Sequence, residues 1–122
     1  MKGFGEKEVR NGGELSSSSR KKVEIALSIH AQGNFKKAIT EYKQIIRSGI
    51  EDPRVYSALG LLALKNSEIK QAIRYNLKSI DINPSYINGY LNLGVIFFQI
   101  GNYDEAEKYT KKAIIIDPKF TQ

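Results

Sequence analysis

The chain has no cysteine, one histidine and three prolines among its 122 residues. Without cysteine there is no disulfide framework, thiolate metal site or thiol nucleophile, a usage that fits a reducing compartment. His30 stands alone, so a histidine metal cluster or a histidine–nucleophile pair lacks its partners. No apolar run approaches the roughly 20 residues that span a bilayer, and the polar opening residues lack the apolar middle of a secretory signal. A soluble cytoplasmic protein is expected. The glycines are scattered rather than gathered into a phosphate-cradling loop. The carboxylates do not form a convergent set. No catalytic residue, metal site or cofactor site is expected, and the chain by itself does not read as an enzyme.

What is present is basic and unevenly spread. The formal charge is +6, from 19 basic and 13 acidic residues. Residues 1–18 and 87–122 are each neutral, whereas 19–52 and 53–86 each carry +3. Such a field can attract an acidic partner, a nucleic acid or an anionic membrane. The interspersed acids equally describe a solvated face that keeps the chain in solution.

A fixed interval organises the sequence from residue 19 onward. Ala26, Gly60 and Gly94 are 34 residues apart, and so are Ala38, Ala72 and Ala106. Small residues recurring at that period mark close helix contacts in a stacked helix–turn–helix array. Segments 19–52, 53–86 and 87–120 align without gaps. Their inter-helix turns read Gly33-Asn34-Phe35, Ser67-Glu68-Ile69 and Gly101-Asn102-Tyr103, where glycine and asparagine tolerate the left-handed backbone that ends a helix. Ile82-Asn83-Pro84 and Ile116-Asp117-Pro118 are helix stops. After Ser48-Gly49, Asp52 caps a helix that Pro53 opens. A bulky residue at Gly60 or Gly94 should cost roughly 1–3 kcal/mol in overpacking. Residues 1–18, rich in glycine and serine around only Phe4, Val9 and Leu15, read as a flexible tail. Ser17–Ser19 are expected to cap a helix that starts at Arg20.

The pattern resembles the tetratricopeptide repeat (TPR). The third segment carries it most fully, in Tyr90, Leu93-Gly94, Phe97, Gly101-Asn102-Tyr103, Ala106, Tyr109, Ala113 and Asp117-Pro118. The second has Tyr56, Leu59-Gly60, Ala72, Tyr75 and Asn83-Pro84, with Ser67 in place of glycine; the first is degenerate, with Lys22 at the aromatic site. The resemblance implies an all-α, right-handed TPR-type α-solenoid of three helix–turn–helix repeats, six helices in all. Tyr56, Tyr90, Phe97, Phe35, Tyr103 and Tyr75 then read as packing residues on the apolar stripe.

The resemblance also implies a concave groove lined by the first helix of each repeat. Transferred position by position, that face is Arg20, Val23, Leu27, His30 and Ala31; then Arg54, Ser57, Leu61, Leu64 and Lys65; then Asn88, Leu91, Asn92, Val95, Phe98 and Gln99. An apolar strip with a basic and amide rim suits an extended peptide or an amphipathic helix. The lysine–asparagine clamp by which some TPR co-chaperones grip chaperone tails falls here on Val23, Leu27, Ala58, Asn88 and Asn92, with no cation. That clamp is not expected. The outer lysines Lys36, Lys37, Lys43, Lys70, Arg74, Lys78, Lys108, Lys111 and Lys112 are interrupted by acids and lack interleaved aromatics, which argues against nucleic acid.

The expected function is a non-catalytic interaction module that binds a protein or peptide in this groove. Two alternatives stay open. One, by family analogy, is the N-terminal portion of a larger bacterial transferase. The other is homo-oligomerisation through an uncapped last repeat, with Tyr90, Phe97, Tyr109 and Ile116 left uncovered.

Overall fold

A computed structural model of the chain describes residues 15–121. Six α-helices make up most of it: α1 (Ser17–Ala31), α2 (Phe35–Arg47), α3 (Pro53–Lys65), α4 (Ile69–Ile82), α5 (Ile87–Gln99) and α6 (Tyr103–Ile116), followed by a 3-10 turn, Pro118–Thr121. Among the described residues there is no strand. The 34-residue interval reappears in the boundaries. Helices α1, α3 and α5 end at residues 31, 65 and 99, and α2, α4 and α6 begin at 35, 69 and 103.

Local chemistry sets most of these limits. The Ser16 hydroxyl accepts the Ser19 amide at 3.1 Å and starts α1 at Ser17, three residues before the expected Arg20. Leu15 packs against the first core cluster and Ser19 is buried, so 15–18 belong to the helical array; residues 1–14 of the expected tail lie outside the described residues. Asn34 and Asn102 side chains cap α2 and α6 at equivalent turns. Asp52 caps α3 at 2.9 Å with Pro53 in its first turn. Asn83 and Asp117 each end a helix, and each accepts the amide two residues on, that of Ser85 or Lys119, beside a proline. The turns themselves need a left-handed step: Gly33 has φ +85°, Gly101 +83°, and Ser67 adopts +61° at the same point of its repeat.

Packing runs within and between hairpins. Each α1–α2, α3–α4 and α5–α6 pair is antiparallel and short-looped, and α2 meets α3 as α4 meets α5. The first helices also touch one another, α1 with α3 and α3 with α5, whereas α2, α4 and α6 do not. The first helices therefore line the inner, concave side. The first core cluster joins Val23, Ala26, Ala38, Tyr42 and Ile45 of hairpin one to Val55, Ala58, Leu59 and Leu62 of α3. A second gathers Tyr90, Leu93, Tyr109 and Ala113, and a third, of Ala63, Ala72 and Ile96, joins α3 and α4 to α5.

The outer flank of α1 differs from its counterparts by design of sequence. Val55, Ala58 and Leu62 of α3 are buried against hairpin one, but 34 residues earlier stand Lys21, Glu24 and Ser28, all exposed. A polar flank suits contact with water, and it leaves Ile25 half-exposed where Leu59 and Leu93 are buried.

The last hairpin corrects the expected bare end. Tyr90 and Tyr109 are buried, and Phe97 stacks on Tyr109 at 5.7 Å with an interplanar angle of 5°, so three aromatics bury one another inside the repeat. Ile116 packs on the same cluster. The exposed apolar residues of this hairpin are instead Val95, Phe98, Ile100, Tyr103 and Ile115.

Candidate binding groove

The concave side is built from the C-terminal halves of α1, α3 and α5. Because these helices share a register, one side chain from each arrives at the same height along the groove. His30, Leu64 and Phe98 form one such row, and Leu27, Leu61 and Val95 the row a turn earlier. Leu61 is 45% exposed, Val95 49% and Phe98 64%, large values for apolar residues on the inside of an array.

Five expected groove residues come together. His30, Leu61, Leu64, Lys65 and Gln99, with Phe35, line one open hollow of ≈ 490 Å³ fed by four helices. Phe35 was expected to be packing. It opens α2 at the turn, sits 5.5 Å edge-on to the His30 ring, and carries the Lys65 ammonium 4.3 Å from its ring centre. Tyr103, at the same repeat position, is likewise surface: it is 62% exposed, with its ring 5.3 Å from that of Phe98. The signal was available in the turn motif, where the third residue stands at the mouth of the groove.

His30 is fixed from behind. Its Nδ1 shares a 2.8 Å hydrogen bond with the hydroxyl of Tyr42, a wholly buried phenol whose pKa is pushed up to about 12 by burial. Burial, then the nearby Lys65 charge, hold the His30 pKa below its ordinary value, so the imidazole is neutral near pH 7.

Other expected groove residues are placed differently. Val23 is 0% exposed inside the first core cluster, Leu27 packs partly buried against that same cluster, and Leu91 packs against the second. Ser57 is buried, its hydroxyl bonded to the Arg54 carbonyl and to the Tyr86 hydroxyl at 3.0 Å. The Arg54 guanidinium is occupied by Asp52, with Nη2 2.8 Å from Oδ2 and Nε 3.1 Å from Oδ1, which raises its pKa. Asn92 donates to the Oδ1 of buried Asn76 at 3.0 Å. Arg20, Ala31 and Asn88 are exposed, outside the hollow.

Among the described residues no three histidines or carboxylates gather as a metal site. No helix of the described residues is long and apolar enough to cross a membrane. On the outer surface, Lys78, Lys108 and Lys111 pair with Glu51 and Asp81, Glu105 and Glu107.

Sequence and structure comparisons agree with this geometry. Family matches to the tetratricopeptide repeat cover residues 25–87 and 87–120. Protein CTR9 homolog of Arabidopsis thaliana is 29% identical over 102 residues, 80% of this chain and 9% of that protein. The TPR repeat-containing protein YpiA of Bacillus subtilis is 31% identical over 93 residues, 76% of this chain and 22% of that protein. The chain thus spans less than a quarter of either relative. Among solved structures, the second TPR domain of Spaghetti (RPAP3), bound to the HSP90 peptide SRMEEVD, superposes with a TM-score of 0.74 at 16% identity, over 82% of this chain and 87% of that one. Three hairpins at a 34-residue interval and family matches reaching from residue 25 to residue 120 lead to one conclusion: the chain belongs to the tetratricopeptide-repeat family.

Proposed function

We propose that the chain is a non-catalytic docking module that holds a segment of another protein in its concave groove. The observation that carries this reading is the exposure of Leu61, Val95 and Phe98 at the hollow lined by His30, Phe35, Leu61, Leu64, Lys65 and Gln99. Apolar side chains left open on the inner face suit burial by a partner. The strip spans three parallel helices, which favours an extended peptide or one helix laid across them. Lys65 and Gln99 at its rim supply donors that fix orientation.

Replacing Leu61 and Val95 together by aspartate tests the reading. Both side chains are exposed, so the helical circular dichroism should be unchanged while partner capture from the source cell falls at least about tenfold, the loss expected when apolar contacts give way to desolvated charge. Undiminished capture by the folded variant would reject the groove.

A further inference from the structure

The hollow is apolar on three sides and cationic on the fourth, and its charge is unspent. Leu61, Leu64 and the Phe35 ring form the apolar walls, and among the described residues no carboxylate lines it. Lys65 makes no ion pair among the described residues; its ammonium rests over the Phe35 ring and is thereby kept at the mouth of the hollow. This sets it apart from Arg54, which Asp52 occupies, and from Lys78, Lys108 and Lys111, each paired on the outer surface. The helices that form the groove add little negative charge. Helices α3 and α5 contain no acidic residue, and α1 contains only Glu24, which lies outside the hollow.

We infer that this hollow takes a bulky aliphatic or aromatic side chain from a partner segment carrying an aspartate or glutamate close by, whose side-chain carboxylate pairs with Lys65. The inference rests on the groove reading above and names the chemistry of its occupant. A carboxylate placed over the Phe35 edge would meet Lys65 in a partly desolvated setting, where an ion pair counts for more than on an open surface. His30 stands beside it. Its Nδ1 is engaged by Tyr42 of α2, the charge acting on it among the described residues is that of Lys65 of α3, and Gln99 of α5 contributes no charge. An arriving carboxylate offsets the Lys65 field and favours the imidazolium, so occupation should move the His30 titration upward.

Selection of a random peptide display library on the whole chain tests this. The recovered peptides should carry aspartate or glutamate within a helical turn of a leucine, isoleucine, phenylalanine or tryptophan. A synthetic copy should bind Lys65→Glu about tenfold more weakly than the parent, and weaken from about 20 to about 300 mM salt. Reversing its acid to lysine should restore binding to Lys65→Glu. Amidating its C-terminus should change nothing, and His30 should titrate at higher pH when it is bound. Peptides that lack an acid, that ignore Lys65→Glu, or that bind only through a free C-terminal carboxylate would overturn the inference. Their response to Leu61→Asp separates the two readings. Binding lost in Leu61→Asp but kept in Lys65→Glu leaves the groove and removes the acidic partner. Binding kept in both removes the groove, and a library that yields no binder rejects both.

Discussion

Ser67 holds φ +61° at the step of the inter-helix turn where Gly33 and Gly101 hold +85° and +83°. A side chain in that conformation costs about 1–2 kcal/mol relative to glycine, partly offset by the greater freedom glycine has when unfolded. Ser67→Gly should therefore stabilise the chain by about 0.5–1 kcal/mol, read as a rise of a few degrees in the thermal midpoint. The turn's position was legible in the repeat alignment. That serine would keep the glycine backbone could be inferred only because the two neighbouring turns fix what the period demands. His30 was legible as a groove residue but not its anchor, since Tyr42 is twelve residues away on another helix. Its pKa is lowered, so its contribution to stability is fully present above about pH 6.5, the ordinary value for histidine, and is lost as pH falls through that value toward the lower folded-state pKa. Thermal unfolding at neutral and mildly acidic pH should show a drop in the parent that is smaller in His30→Asn, which carries no titrating ring.

Helices are positioned here by small residues, and the contacts they permit are not equivalent. A Cβ on Gly60 would collide with the Asn76 side chain, which is wholly buried, bonded to the Ala72 carbonyl at 2.8 Å and held by Asn92. A Cβ on Gly94 would come within 2.7 Å of the Thr110 hydroxyl, on an exposed side chain free to turn away. Gly60→Ala should cost about 2 kcal/mol in overpacking, whereas Gly94→Ala should fall within about 1 kcal/mol of the parent, since alanine's helix preference offsets a small shift. Chemical denaturation of the two variants decides the point; equal losses would contradict it. The sequence treats these glycines alike, because their spacing is the same. The distinction lies in what faces them 16 residues on: Tyr42 opposite Ala26, Asn76 opposite Gly60, Thr110 opposite Gly94. Gly89 escaped the periodic pattern altogether, although a Cβ there would meet the Ser79 and Ile80 side chains of α4 at 2.5 Å.

At the scale of the molecule, periodicity was enough to order six helices, and the resemblance to the tetratricopeptide repeat assigned the concave side to α1, α3 and α5. It was less reliable for which groove positions stay open. Val23 and Ser57 sit at one repeat position and both are buried, because the first helices lean on one another there. Leu61 and Val95, one turn later at the next position of the pattern, remain exposed. Phe35 and Tyr103 were assigned to packing as part of the apolar stripe; here Phe35 is part-exposed and Tyr103 largely exposed, both beside the open row. The same alignment explains the polar outer flank of α1, where Lys21, Glu24 and Ser28 replace residues that bury in α3.

The central claim is that stacking the three hairpins consumes their lateral faces and leaves the inner strip open for a partner. Methyl-resolved NMR of the chain titrated with a captured protein segment tests it most directly. The account predicts that the Leu61, Leu64 and Val95 methyls shift, while those of Ile39 and Ile115 on the second helices stay fixed. Shifts confined to Ile39 and Ile115, with Leu61 and Val95 unmoved at saturation, would contradict it.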